Sequence, residues 1–237
     1  MKGLQLPLGV QLSDAASFES YHAGPNAEVV GALRAMAANR APPLLFLFGP
    51  PASGKTHLLQ ALTREAAQAR ACAYLPLAQF RADEAGEALH GFDQAELLCL
   101  DDVQAMAASP DGALALLRLL DQVRAHGGCS VVAATAPPDR LGIALPDLRT
   151  RLSAAAIYGL KPLTDDDRER LLLDRARARG LELPGDAARQ LLARLPRDAG
   201  SLVAAIDALD RALLSAQRRL TLSFVQQWLR HGVPPPA

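Results

Sequence analysis

Apolar residues form two kinds of pattern along this chain. Up to about residue 162, short apolar runs alternate with stretches in which apolar positions recur at helical spacing. Short runs bounded by turn residues predict strands buried on both faces, and their alternation with helices predicts an α/β fold with a parallel sheet. Five strands are predicted, over 44–48, 72–77, 97–100, 130–134 and 156–160. The intervening helices are predicted over 26–38, 55–70, 84–90, 112–125 and 146–152.

After residue 162 the strand pattern stops and only helical patterns follow. Thr164 precedes three aspartates, which is typical of a helix N-terminus, and Gly180 ends that helix. Further helices are predicted to begin near Pro184, Asp198 and Thr221. We therefore predict three parts: an extended arm over 1–12, an α/β domain over 13–162 and an all-helical domain over 163–237.

Composition narrows the class of protein. Half of the 237 residues are apolar, which is enough to bury a core, and 25 basic residues balance 25 acidic ones. A zero net charge argues against bulk electrostatic binding of nucleic acid. The N-terminus is too polar for a signal peptide, and no apolar run approaches a membrane span, so we expect a cytoplasmic protein.

The residues directly after the first predicted strand satisfy the pattern GxxxxGK[ST] at every fixed position. They are Gly49, Pro50, Pro51, Ala52, Ser53, Gly54, Lys55 and Thr56. Glycines let backbone N–H groups turn toward phosphate oxygens, Lys55 would reach the β- and γ-phosphates, and the Thr56 hydroxyl would ligate Mg²⁺. The positive end of the following helix would face the same anion. The sequence therefore predicts a nucleotide-binding P-loop.

The apolar run 97–100 ends in Asp101 and Asp102. A buried strand that ends in two carboxylates is typical of the Walker B motif. Asp101 would then hold Mg²⁺ through water, and Asp102 would polarise an attacking water. The alternative is a helix N-cap that follows a core strand.

The P-loop, the Asp-Asp strand and the trailing helices together resemble an AAA+ module. Segments 74–77, 145–152 and 157–163 resemble the DnaA-like AAA+ family, and 180–184 and 209–221 resemble its shorter Hda branch. The resemblance implies a five-stranded parallel sheet in the order 5-1-4-3-2, followed by a small helical lid domain. DnaA would continue into a DNA-binding helix-turn-helix domain, which is not found here, and this favours the Hda branch.

The resemblance also implies a function. A member of the Hda branch would bind ADP or ATP with Mg²⁺, bind the DNA-loaded sliding clamp of DNA polymerase III, and promote hydrolysis of ATP bound by DnaA. Its contact with DNA would be mainly indirect, through the clamp, and a homo-oligomer is left open. Two alternatives remain: an autonomous AAA+ ATPase, and a non-enzymatic adaptor for initiator loading.

The resemblance implies roles for individual residues. Arg151 matches the arginine finger that acts on a neighbouring protein's γ-phosphate; alternatively it is a surface arginine paired with Asp147 at i,i+4. Thr135 falls at the sensor 1 position. Tyr21 and Asn26, together with Phe18, lie where the adenine pocket of the family begins, and alternatively serve the core or a turn.

Two further positions bear on partners and activity. Gly200 falls where the family's sensor 2 arginine is expected, which predicts weak intrinsic ATPase activity. Gln5, Leu6 and Leu8 resemble the QL-x-L peptide that docks in the hydrophobic groove of the sliding clamp. The alternative for this arm is a tail with incidental leucines.

Overall fold

A computed structural model of the chain describes residues 4–5, 12–13, 16–39, 42–81 and 84–230. The chain divides into two compact units, of which the first ends at Lys161 and the second begins at Pro162. None of the described helices is both long and apolar enough to cross a membrane.

The first unit alternates strands with helices. Its strands are β1 (Leu4–Gln5), β2 (Leu44–Phe48), β3 (Cys72–Pro76), β4 (Leu97–Asp101), β5 (Cys129–Ala134) and β6 (Ala156–Gly159). Its described helices are α1 (Ala27–Ala37), α2 (Lys55–Ala66), α3 (Ala85–Ala88), α4 (Gln104–Ala107), α5 (Pro110–Ala125) and α6 (Pro146–Ser153).

The strands form one parallel sheet in the order β1-β3-β4-β5-β2-β6. Apart from β1, this is the predicted five-stranded order, so the α/β fold prediction is confirmed. The arm adds a short sixth strand at the outer edge of β3, where Leu4 lies opposite Cys72 and Gln5 opposite Ala73.

Successive side chains of a strand point to opposite sides of the sheet. In the central strands the side chains on both sides are buried, because helices cover both faces of the sheet. Phe46, Leu100 and Val132 pack into a cluster with α5 and α6. Their strand neighbours Leu47 and Cys99 pack on the other side in a cluster with α1 and α2. This double layer fixes the carboxyl ends of β2 and β4, from which the candidate site is built.

In helix α5 three leucines, Leu114, Leu117 and Leu120, occur at helical spacing, but they are not equally buried. Leu114, the first leucine of that series, is 38% exposed, whereas Leu116 is fully buried and Leu120 is 4% exposed. The face that packs on the sheet is thus turned by about one position, and it also includes Ala113 and Val123. Helix α4, a single turn after β4, was not predicted.

The second unit is all-helical, as predicted. Its helices are α7 (Asp165–Ala178), α8 (Gly185–Arg194), α9 (Ala199–Ala216) and α10 (Leu222–Arg230). Thr164 and Asp167 form a reciprocal capping box at the start of α7, and the Asp198 side chain accepts a hydrogen bond from the Ser201 N–H at the start of α9.

Helices α7 and α9 are joined by a charged network. The carboxylate of Asp207 accepts two hydrogen bonds from Arg175, at 3.0 and 2.9 Å. It also lies 3.0 Å from the Nε of Arg179, which in turn contacts Asp210. Since the Asp207 side chain is only 21% exposed, solvent screens these contacts less than it would on an open surface.

Asp207→Ala should lower the free energy of unfolding of the second unit by about 1–3 kcal/mol, because two partly buried arginines lose a shared acceptor. The only tryptophan, Trp228, packs against the apolar core of this unit, so its fluorescence during urea unfolding reports the effect. The control is Asp174→Ala, which removes the exposed Asp174–Arg177 pair and should cost less than about 0.5 kcal/mol. Equal losses in the two variants would contradict this account.

Candidate nucleotide site

The P-loop lies between β2 and α2, and its two motif glycines occupy positions that no other residue fits. Gly54 has φ of +92°, and a Cβ added there would lie 2.7 Å from Cε2 of Tyr21. A Cβ on Gly49 would lie 2.8 Å from Oγ of Ser53 and 3.0 Å from Cβ of Leu160. Ala52 also takes a left-handed conformation, with φ of +57°. Such backbone strain occurs mainly where function requires the loop shape.

Lys55 is the first residue of α2 and points back into the loop. Its Nζ donates hydrogen bonds to the carbonyl oxygens of Gly49 and Pro50, both at 2.9 Å. Burial lowers the pKa of Lys55, while the charges of Asp101 and Asp102 raise it. The ammonium group is therefore held by two carbonyl groups of the loop, within the electrostatic influence of the predicted Walker B carboxylates.

Asp101 ends β4 and is 1% exposed. Its Oδ2 accepts a hydrogen bond from the Tyr74 hydroxyl at 3.0 Å, and its Oδ1 accepts one from the N–H of Asp102 at 3.1 Å. Burial raises the pKa of Asp101, whereas hydrogen bonds from Thr56 and Tyr74 lower it. Thr56 and Asp101, the two predicted Mg²⁺ ligands, are thus near enough for the Thr56 side chain to lower the pKa of Asp101.

Asp102 follows in a left-handed conformation, with φ of +55°. Its Oδ1 accepts a hydrogen bond at 2.9 Å from the side-chain amide of Gln104. The amide oxygen of Gln104 is itself buried and has no hydrogen-bond partner among the described residues. Asp102 is thus held by Gln104 and is only partly buried, whereas Asp101 is almost fully buried.

Tyr21 and Asn26 occupy different positions relative to the P-loop. The ring of Tyr21 covers Gly54. Burial raises the pKa of the Tyr21 hydroxyl to about 12, although a hydrogen bond with Asn26 acts to lower it. Asn26 is 2% exposed, and its side-chain amide makes two hydrogen bonds with the backbone of Lys161. Its Nδ2 donates to the Lys161 carbonyl at 2.9 Å, and its Oδ1 accepts from the Lys161 N–H at 2.8 Å. Asn26 therefore fastens the last residue of the first unit.

Two further predicted site residues of the first unit, Thr135 and Arg151, lie at the ends of β5 and α6. Thr135 directly follows β5, whose terminal Ala134 accepts a hydrogen bond from the Gly49 N–H, but the Thr135 side chain is exposed. Arg151 lies in the last turn of α6. Its ion-pair partner among the described residues is Asp121 of α5, at 2.5 Å, rather than Asp147.

The other predicted site residues are Gly200, in the predicted lid, and the three residues of the arm. Gly200 is the second residue of α9 in the second unit. Gln5 lies in β1 by its backbone, whereas Leu6 and Leu8 fall outside the described residues.

Sequence reasoning missed three side chains that contact the site residues: Tyr74, Gln104 and Asp121. Tyr74 carried a signal, because a hydroxyl in the middle of a buried strand needs a polar partner. Gln104 and Asp121 gave no such signal in the sequence, since both lie on helices, where polar residues normally face solvent. Among the described residues no group of three or more histidine, cysteine and acidic side chains forms a metal site.

Comparisons with known proteins agree with this geometry. Residues 165–229 match the family model of the Hda lid domain. Residues 45–156 match the model of the ATPase family associated with various cellular activities. An uncharacterized protein of Haemophilus influenzae is 35% identical over 227 residues, which cover 95% of this chain and 98% of that protein.

Solved structures share the fold. Domain III of the replication initiation protein DnaA from Thermotoga maritima superposes with a TM-score of 0.80 at 21% identity, covering 95% of this chain and all of that one. AMPPCP-bound DnaA from Aquifex aeolicus gives a TM-score of 0.71 at 19% identity, covering 88% of this chain and 71% of that one.

Proposed function

Because the chain belongs to the DnaA-like AAA+ family, close to Hda, and is a DnaA-related replication regulator, we propose that it promotes hydrolysis of ATP bound by DnaA while bound to the DNA-loaded sliding clamp. The observation that carries this proposal is the match of residues 165–229 to the Hda lid domain. The remaining support comes from the nucleotide site, from Arg151 and from the arm.

Nucleotide binding is implied by membership of the AAA+ family, and we propose that the ligand is ADP or ATP with Mg²⁺. The residues fit such a group. Ser53 has a buried hydroxyl oxygen without a hydrogen-bond partner among the described residues, inside the loop that would surround the phosphates. Lys55 supplies the cation, and the oxygens of Thr56 and Asp101 are of the kind that Mg²⁺ prefers. The bound metal would neutralise phosphate charge.

Action on a partner's nucleotide is supported by the distribution of arginines. Gly200 provides no side chain at the position where the family's lid supplies a cation to the protein's own nucleotide. Arg151 lies on α6 with a side chain 31% exposed, and none of its described contacts is with the P-loop. A guanidinium in such a place suits a phosphate group held by a neighbouring molecule.

Clamp binding is supported by the glutamine and leucines of the arm. In the part of the arm that the structure describes, Leu4 and Gln5 pair with β3, and this two-residue pairing contributes few backbone hydrogen bonds to the sheet. Its release to an external groove would therefore cost the first unit little stability.

Deletion of residues 1–10 should weaken binding to the DNA-loaded clamp by at least about tenfold, because the anchor side chains of a short docking peptide carry most of its affinity. Affinity for ADP should remain unchanged, because the P-loop is built from later residues. Surface-immobilised clamp measures the first quantity, and fluorescent nucleotide titration measures the second. Unchanged clamp affinity after the deletion would remove the arm from the proposal.

The proposed function as a whole is tested by the rate at which DnaA-bound ATP turns over with and without this protein and loaded clamp. Binding to DnaA without acceleration would support the adaptor alternative instead. Fast turnover of ATP by the isolated chain would support an autonomous ATPase.

A further inference from the structure

Arg151 has a fixed neighbour on another helix. Its Nη2 lies 2.5 Å from Oδ1 of Asp121, on α5. The two helices are held together by apolar packing, since Leu148 and Leu152 of α6 share a buried cluster with Leu120 of α5. Packing thus fixes the backbone of Arg151, and the ion pair restrains the end of its long side chain.

We propose that Asp121 is a positioning residue for Arg151, holding one corner of the guanidinium so that the remaining N–H groups face the γ-phosphate of ATP bound by a neighbouring AAA+ protein. This inference rests on the proposed function, in which Arg151 acts on a partner's nucleotide. It adds a residue that neither the motifs nor the comparisons assign.

The geometry of the contact favours positioning. A guanidinium offers five N–H donors in a planar fork, and its shortest contact with Asp121 is made by Nη2. Within the described part of the chain Asp121 is the one ion-pair partner of Arg151, and a single carboxylate cannot occupy all five donors. A side chain that is already restrained loses less conformational entropy when it meets a phosphate.

The pair has little to do with stability of the fold. The side chains of Arg151 and Asp121 are 31% and 46% exposed, and ion pairs of this kind contribute little to the free energy of unfolding. Asp121 can therefore be removed without unfolding the protein, which makes its effect on Arg151 measurable.

The opposite role would be masking, in which Asp121 competes with phosphate for the guanidinium. A masking carboxylate would have to hold the guanidinium strongly, whereas the pair with Asp121 is partly exposed and of the kind that contributes little free energy. A phosphate group can therefore compete for the guanidinium, which favours positioning, and the two roles predict changes of opposite sign in the stimulated rate.

The test compares stimulation of DnaA-bound ATP hydrolysis by the full chain and its variants with loaded clamp. Asp121→Ala should lower the maximal stimulated rate by about three- to tenfold, because Arg151 must then be ordered at each encounter. The concentration that gives half-maximal stimulation should not change. Asp121→Asn should retain most of the rate, since its amide oxygen still accepts from Nη2.

The matched control is Asp147→Ala, which removes a carboxylate four residues from Arg151 on its own helix and breaks no ion pair with another described residue. It should leave the rate unchanged. A rate for Asp121→Ala equal to wild type, higher than wild type, or equal to that of Asp147→Ala would overturn the inference. If Arg151→Ala abolishes stimulation and Asp121→Ala does not, only the inference fails. If Arg151→Ala itself has no effect, the role of Arg151 fails and the inference with it, and if the wild-type chain gives no stimulation, the proposed function fails as well.

Discussion

Replacing Lys55 by alanine should remove nearly all of the stabilisation that ADP or ATP gives to the wild-type protein. A ligand at 100 times its Kd stabilises a protein by about 2.7 kcal/mol. Loss of a hydrogen-bonded cation costs roughly 1.5–3 kcal/mol of binding, or about 100-fold in affinity at the upper end. At the same ligand concentration the variant would then gain only about 0.4 kcal/mol.

The measurement is the thermal unfolding midpoint with and without nucleotide. The matched control is Lys161→Ala, because Lys161 has an exposed side chain and contributes only its backbone to Asn26. This control should respond to nucleotide like wild type. Equal stabilisation of the Lys55→Ala protein would contradict the assignment of the P-loop.

Arg151→Ala should abolish stimulation of DnaA-bound ATP hydrolysis while leaving nucleotide and clamp binding intact. An arginine finger acting in trans is worth about 10³–10⁵ in rate in related phosphoryl transfer. Arg151→Lys should restore little, because lysine is a point charge without the planar fork. A single-turnover assay on DnaA loaded with labelled ATP measures the rate.

The matched control for this prediction is Arg149→Ala, which removes an exposed arginine from the same helix. It should preserve most of the stimulation. An Arg151→Ala protein that is folded, bound to the clamp and as active as wild type would remove Arg151 from the mechanism.

The strands and the P-loop could be predicted because their signals are local, whereas the order of the strands was implied by the family resemblance. The run 44–48 is buried on both faces and leads directly into the glycines of the loop, so pattern and chemistry occur within thirteen residues of sequence, 44–56. A count of leucines alone does not identify the buried face of α5. Ala113 is buried there although its side chain is small, and Leu114 is exposed although it is large.

Contacts between distant residues could not be predicted. Asn26 binds the backbone of Lys161, which lies 135 residues away, and no spacing rule connects the two. The pairing of β1 with β3 rests on backbone hydrogen bonds, which any sequence in an extended conformation can form. The Arg151–Asp121 pair was missed for a different reason, since sequence reasoning considered only the i,i+4 neighbour Asp147.

The most direct test of the central claim is the lifetime of ATP bound to DnaA in the presence of loaded clamp, with and without the full chain. The account predicts that the wild-type chain shortens this lifetime strongly and that the isolated chain, with glycine at position 200, turns over its own ATP slowly. An unchanged lifetime of DnaA-bound ATP, under conditions where the chain is shown to bind nucleotide and clamp, would contradict it.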